Sequence, residues 1–420
     1  MTSADVPRAL SHPLPAGMRD LLPDEARRRR ALGRRVLEHF ALHGYQLVTP
    51  PAFEFAEVLE RGLGTLDPSD VLRFVEPESG EVAALRPDVT PQIARMVATR
   101  LEREPRPIRL CYEGTVVRRR QGRARRHRQM PQAGVELYGA PGIEGDLEIL
   151  RLAASVARRC GIEAFVLDLG HAAVARSLLD AAAIPGDVAA EISDALAQKD
   201  SSRIASVLAD VAAPRDVVRA LSALPELHGE GGAVFDRALP IFAGTPAEAP
   251  ARELRALWDA ARRVDPELAA ALRIDLGEVR GFAYYTGAIF HLLAPGPGEP
   301  IGAGGRYDDL LARFDAPMPA TGFALHLDPV AWALEAAGVP DERPPAVLVL
   351  AGPSAEAQAH ALRAQGIPAV IHASSDPESA ANYARAWRFS HLLAATAITR
   401  IDPASPLDPD VLARVVSAVR

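Results

Sequence analysis

Three groups of polar residues in this chain have types and spacings suited to binding or chemistry. Asp88 and Thr90 stand in Arg86-Pro87-Asp88-Val89-Thr90-Pro91, where a strand-like run gives way to a helical one. A short acceptor side chain at a helix start caps free N–H groups, so capping alone explains the pair as well as binding does. Gln132 and Glu136 lie four apart in a run whose other face is Ala133, Val135 and Leu137. On a strand this puts both polar groups on one face, roughly 13 Å apart. A polar face on a central strand is costly unless something binds there. The third group is Arg280-Gly281-Phe282-Ala283-Tyr284-Tyr285, followed by Gly302-Ala303-Gly304-Gly305-Arg306-Tyr307. Glycine-rich turns let backbone approach a ligand closely, although a plain hairpin accounts for them equally well.

The elements that must hold these groups are readable from the pattern. A run from Ile108 to Tyr112 and the Gln132 strand flank a core of seven arginines between Arg118 and Arg128. Taken alone, those arginines suggest a phosphate or RNA site. A helix is expected from Asp24 to Leu42, with Leu32, Val36, Leu37 and Phe40 as its buried stripe. Its Arg27 to Arg30 read as a solvated face. Tyr45 to Thr49 form a strand stopped by Pro50-Pro51. Strands at Leu72–Val75 and Val82–Arg86 lead into a helix from Gln92 to Glu102. Residues 171 to about 272 carry alanine- and leucine-rich amphipathic helices and no alternating pattern, the mark of a helical insertion. A hairpin with arms Phe282–Leu292 and Pro300–Gly305 follows, then a helix at Asp328–Ala337.

Residues 338–345 form a proline- and glycine-containing linker between a core of residues 1–337 and a small domain over 346–420. That domain alternates β, α, β, α, β, α, as expected of a largely parallel α/β sheet.

Composition narrows the function. Nearly half of the 420 residues are hydrophobic, no apolar run reaches the ~20 residues of a membrane helix, and the first residues lack a secretory pattern. Cys111 and Cys160 make neither a disulfide framework nor a zinc spacing and read as small core residues. A cytoplasmic location follows from that usage. The net charge of −7 argues against a protein built mainly to hold nucleic acid.

The motif series PxGxxD, GY..VTPP, LRPDVTPQ, RLCYEGTVVRRR…QAGVELYG, RGFAYYTG, GAGGRYDDL and TGFALHL resembles the class II aminoacyl-tRNA synthetase fold. Over residues 13 to about 337 it is most similar to histidyl-tRNA synthetase and its paralogue, the regulatory subunit of ATP phosphoribosyltransferase. The resemblance implies an α+β fold: an antiparallel sheet flanked by helices, with a helical insertion and a degenerate anticodon-binding-like domain.

By the same resemblance, Asp88, Thr90 and Gln132 take the α-amino group of histidine. Arg280 takes its carboxylate, Glu136 with Tyr285 reads the imidazole, and Tyr284 also belongs to the histidine-binding set. Where the synthetase has glutamate, this chain has Asp88; where it usually has aspartate, this chain has Ala283. The nucleotide residues fare differently. The motif 2 arginine falls on Arg118, but the glutamate that helps hold adenine becomes Arg120. The motif 3 Glu-Arg pair becomes Asp328-Pro329. Losing a phosphate-pairing arginine removes several kcal/mol of stabilisation at a reacting phosphorus. The C-terminal domain balances six arginines (363, 385, 388, 400, 414, 420) with six acids (356, 376, 378, 402, 408, 410), unlike a tRNA-binding face.

The expected function is therefore a non-catalytic regulatory subunit with a vestigial nucleotide site, no cofactor and no metal. Its implied partner is the short-form catalytic subunit of ATP phosphoribosyltransferase, in a hetero-octamer built on a homodimer core, with L-histidine as feedback ligand. The alternatives are an active histidyl-tRNA synthetase and a free-standing histidine sensor.

Overall fold

The computed structural model describes residues 14–63, 71–118, 127–279, 284–341, 343–395, 397–403, 405, 407 and 409–417. Two compact units divide at Val339 and Pro340.

The first unit is organised by a nine-stranded sheet in the order β1-β5-β6-β12-β11-β10-β7-β9-β8. From the near edge these are β1 (Gln46–Leu47), β5 (Ile108–Val117), β6 (Gln129–Tyr138), β12 (Ala320–His326) and β11 (Gly302–Arg306). Beyond them lie β10 (Ala288–Leu293), β7 (Val166–His171), β9 (Leu272–Asp275) and β8 (His228–Glu230). The sheet is mixed: the β1–β5 and β7–β9 pairs are parallel and the other neighbours antiparallel. This refines the expected all-antiparallel sheet. The strand β8 also falls inside the segment expected to be mostly helical, with no alternating β pattern. Its three residues, His228-Gly229-Glu230, are too few to show an alternation.

Helix α1 (Pro23–Leu42) buries Leu32, Val36 and Phe40, the expected stripe. Phe40 meets Phe323 of β12 edge-on at 5.8 Å, beneath the sheet. Burying such a side chain contributes about 1.5–3 kcal/mol. Ala133, Val135 and Leu137 of β6 join that core, while Leu110, Tyr112 and Tyr138 belong to a second cluster on the opposite face. Both faces of β6 are therefore covered, and the polar groups on it are enclosed.

A small sheet pairs β2 (Phe53–Phe55), β4 (Val82–Leu85) and β3 (Arg73–Val75) in that order; helix α2 (Ala56–Leu63) follows β2 in the chain and helix α3 (Thr90–Arg100) follows β4. After β6 comes helix α4 (Gly142–Cys160), closed by Gly161 in the left-handed region. Seven helices between Ala172 and Ala271 make up the insertion. Their apolar residues share the main core cluster, so the insertion is packed in.

The second unit holds β13 (Val347–Val349), β14 (Ala369–Ile371) and β15 (His391–Ala394), with β13 parallel to both others. A fourth strand, β16 (Ala397–Arg400), pairs antiparallel with β15. It was not expected from sequence; the short Ala-Ile-Thr-Arg run carries little alternation, and the turn before it puts Ala395 at φ +53°. Among the described residues no helix is long and apolar enough to cross a membrane.

Candidate functional site

Register brings the polar residues together. In the β12–β6 pair, Gly322 faces Glu136, Ala324 faces Gly134 and His326 faces Gln132. In the β5–β6 pair, Tyr112 faces Gly134. The middle of the sheet thus presents small residues between polar ones, and a cavity of about 400 Å³ opens above them. Asp88, Thr90, Arg118, Gln132, Glu136, Tyr284, Tyr285 and Tyr307 all line it.

The floor requires glycine. A Cβ on Gly322 would stand 2.4 Å from a Glu136 carboxyl oxygen and from the Val135 carbonyl. One on Gly134 would stand 2.6 Å from the Tyr112 hydroxyl. The Gly134 Cβ would also stand 2.6 Å from the Phe323 carbonyl, so both positions meet backbone as well as side chain, and Gly322 leaves the space that the Glu136 carboxyl occupies.

Around the carboxyl groups the bonds are specific. The Thr90 hydroxyl donates to Glu136 Oε1 at 2.7 Å, and the Tyr307 hydroxyl bonds to Glu136 Oε2. Tyr284 donates its hydroxyl to Asp88 Oδ2 at 2.7 Å. Asp88 Oδ1 accepts from the backbone N–H groups of Val89 (2.7 Å) and Thr90 (3.4 Å). Asp88 stands one residue ahead of the helix N-cap, Val89: one oxygen accepts from the backbone there and the other faces a tyrosine. The rings of Tyr284, Tyr285 and Tyr307 cluster with centroids 4.9–6.2 Å apart.

Gln132 is 1 % exposed, and its Oε1 has no hydrogen-bond partner among the described residues. A buried, unpaired acceptor costs about 1–3 kcal/mol. A donor-bearing ligand recovers that energy.

Burial pushes the Glu136 carboxyl well above the usual carboxylate range; the Thr90 bond pulls the other way, and the nearby Asp88 adds to the rise. Burial also raises the Tyr284 and Tyr285 hydroxyls, helped by Asp88. Among the described residues this end of the cavity is rich in acceptors and poor in cations, so it suits a ligand that brings positive charge and N–H donors.

Arg118 lines the cavity, and its Nε donates to the Pro87 carbonyl at 2.6 Å. Pro329 is buried in the first turn of the helix Leu327–Ala336. Beside it Asp328 pairs with Arg19 at 2.6 Å. Pro329 and Asp328 line a separate cleft of about 30 Å³, with His127, Met130, His326 and Trp332 among its walls. Arg120 and Arg280 lie outside the described residues.

Sequence reasoning named Asp88, Thr90, Gln132, Glu136, Tyr284 and Tyr285 but gave Tyr307 no role. It stood inside the quoted Gly302–Tyr307 run. Its neighbour Arg306 donates Nε to Oδ2 of the buried Asp146 of α4 at 3.0 Å and makes an ion-pair contact with Oδ1 at 2.9 Å. Tyr112 and Gly322 were also missed, because only strand register reveals them.

A wide sheet with an enclosed polar face, a helix-start carboxylate and an inserted helical segment defines a class II synthetase-like module. The family model for histidyl-tRNA synthetase matches residues 17–330. A protein of Anaeromyxobacter sp. (strain K), named ATP phosphoribosyltransferase regulatory subunit, is 44% identical over 323 residues, 77% of this chain and 91% of that one. One of the same name from Syntrophotalea carbinolica is 34% identical over 399 residues, 92% of this chain and 91% of its own. The crystal structure of an ATP phosphoribosyltransferase regulatory subunit/histidyl-tRNA synthetase from Bacillus halodurans C has the same fold, with a TM-score of 0.78 at 24% identity, covering 92% and 98% of the two chains. A histidine–tRNA ligase subunit from Alicyclobacillus acidocaldarius gives 0.66 at 30% identity, covering 79% and 99%. The chain belongs to the histidyl-tRNA synthetase family, in its group of ATP phosphoribosyltransferase regulatory subunits.

Proposed function

We propose that this chain is the non-catalytic regulatory subunit of an ATP phosphoribosyltransferase, binds L-histidine in the 400 Å³ cavity, and carries feedback inhibition of the first step of histidine biosynthesis. The observation that carries the reading is the convergence of three buried acceptors, Asp88, Gln132 and Glu136, on one cavity, with Gln132 Oε1 awaiting a donor. An ammonium fits beside Asp88 and Gln132, and imidazole N–H groups fit Glu136 with Tyr285. Arg280 would take the carboxylate.

Pro329 and Asp328 support the loss of adenylation. Proline offers no charge and no donor where a clamping arginine would stand, and Asp328 is already held by Arg19. Arg120, in place of an acceptor, adds to this on sequence grounds. The partner is the short-form catalytic subunit, assembled with a homodimer of this chain into a hetero-octamer in the cytoplasm. Histidine shifts the assembly toward a less active arrangement, and the catalytic subunit's substrates oppose it by the same coupling.

Co-purification with the short catalytic subunit and an ATP–pyrophosphate exchange assay test this together. Complex formation without histidine-dependent exchange is expected. Exchange at enzyme-like rates would establish an active synthetase instead, and a chain that makes no complex would be a free-standing sensor.

A further inference from the structure

Glu136 is 1 % exposed, yet both of its oxygens meet only neutral hydroxyls, those of Thr90 and Tyr307. Among the described residues, the titratable groups around it come from several elements. Asp88 precedes α3, Tyr112 lies on β5 and Tyr138 on β6, Tyr284 and Tyr285 stand before β10, and Tyr307 follows β11. Tyr45, ahead of β1, also feels its charge. Each of these is neutral or anionic. Arg118, on the cavity wall, directs its Nε to the Pro87 carbonyl, and among the described residues Glu136 has no ion-pair partner.

Among the described residues no cation pairs with an ionised carboxyl in this place, and the second carboxyl at Asp88 makes ionisation harder still. The site's own residues therefore favour the protonated acid. A basic ring placed against that acid changes the balance, because the charged pair then forms inside one enclosed, hydrogen-bonded site.

We propose that Glu136 stores a proton in the unliganded protein and passes it to the ring of the bound amino acid, so that histidine is held as imidazolium against a Glu136 carboxylate. This rests on the histidine reading above and adds the ionisation state by which the site selects its ligand. The O–H bond of Glu136 breaks, an N–H bond forms on a ring nitrogen, and the proton count of the complex is unchanged. Above the free imidazole pKa of about 6.5, binding exchanges no proton with solvent; below it the ligand arrives charged and one proton leaves per complex. The pocket then selects for basicity as well as shape. A triazolylalanine of nearly the same outline is too weak a base to accept the proton.

The test uses the full chain. Vibrational difference spectra with and without L-histidine should show the protonated-carboxyl C=O stretch disappearing on binding, and Glu136→Gln should lack that change. Calorimetry should find triazolylalanine bound about tenfold or more weakly than histidine by the wild type, with the gap closing in Glu136→Gln. If the variant does not fold, the two-ligand comparison on the wild type and its carboxyl band decide alone. Histidine that binds with no loss of the carboxyl band, or no tighter than triazolylalanine, overturns the proposal and leaves the histidine site standing. A chain that binds no histidine at all removes both.

Discussion

Truncating Glu136 to alanine takes away the acceptor that both Thr90 and Tyr307 address. Histidine affinity is expected to fall at least tenfold, about 1.4 kcal/mol, in Glu136→Ala and likewise in Arg280→Ala. Calorimetry reads this directly, and an unchanged affinity in either variant would place the ligand elsewhere. At this scale the sequence was informative where alternation exposed it. Gln132 and Glu136 stood out because Ala133, Val135 and Leu137 fixed the other face of the same strand. Tyr112, Tyr307 and Gly322 did not, since each joins the site through a strand distant in sequence. The two cysteines behave as the sequence implied: both are buried and free, with burial pushing each thiol up to about 11.

Helix α1 carries a titratable contact under the sheet. His39 Nε2 lies 2.8 Å from the Ser155 hydroxyl on α4, and its ring is 4.5 Å from that of His43. Burial, together with His43 and Arg159, lowers the His39 pKa to about 4 from an ordinary 6.5. The unfolded chain therefore binds a proton more readily between those values, and stability is lost as pH falls from about 6.5 toward 4. Melting curves across that range should show a falling Tm that His39→Gln flattens; identical slopes in both proteins would remove His39 as the cause. Elements with strong periodicity, such as α1 and β6, were legible from sequence. The three-residue strand β8 takes its conformation from β9, with which it pairs. No local pattern in β8 announces it.

One edge of the core unit is left apolar. Leu47 is 59 % exposed and Val75 64 %, and Phe53 stacks edge-on with Phe74 at 5.2 Å on the exposed small sheet. Phe55 and Val82 are exposed there too. An edge strand and open aromatic rings of this kind promote association. A homodimer joined through the Tyr45–Pro51 strand region is the expected state, and sedimentation at micromolar concentration should return twice the 44.8 kDa chain mass. A monomeric mass would refute it.

The linker composition, the change to alternating β and α, and the balanced charge of the last residues made a separate small unit legible. What it contacts was never written in local pattern. The central claim is regulation, so the deciding measurement is the phosphoribosyltransferase rate of the short catalytic subunit with and without this chain, over a titration of L-histidine. The account predicts that the chain raises the rate, that histidine then suppresses it, and that Glu136→Ala keeps the activation while weakening the suppression. A rate unchanged by the chain, or histidine inhibition equal in its absence, would contradict it.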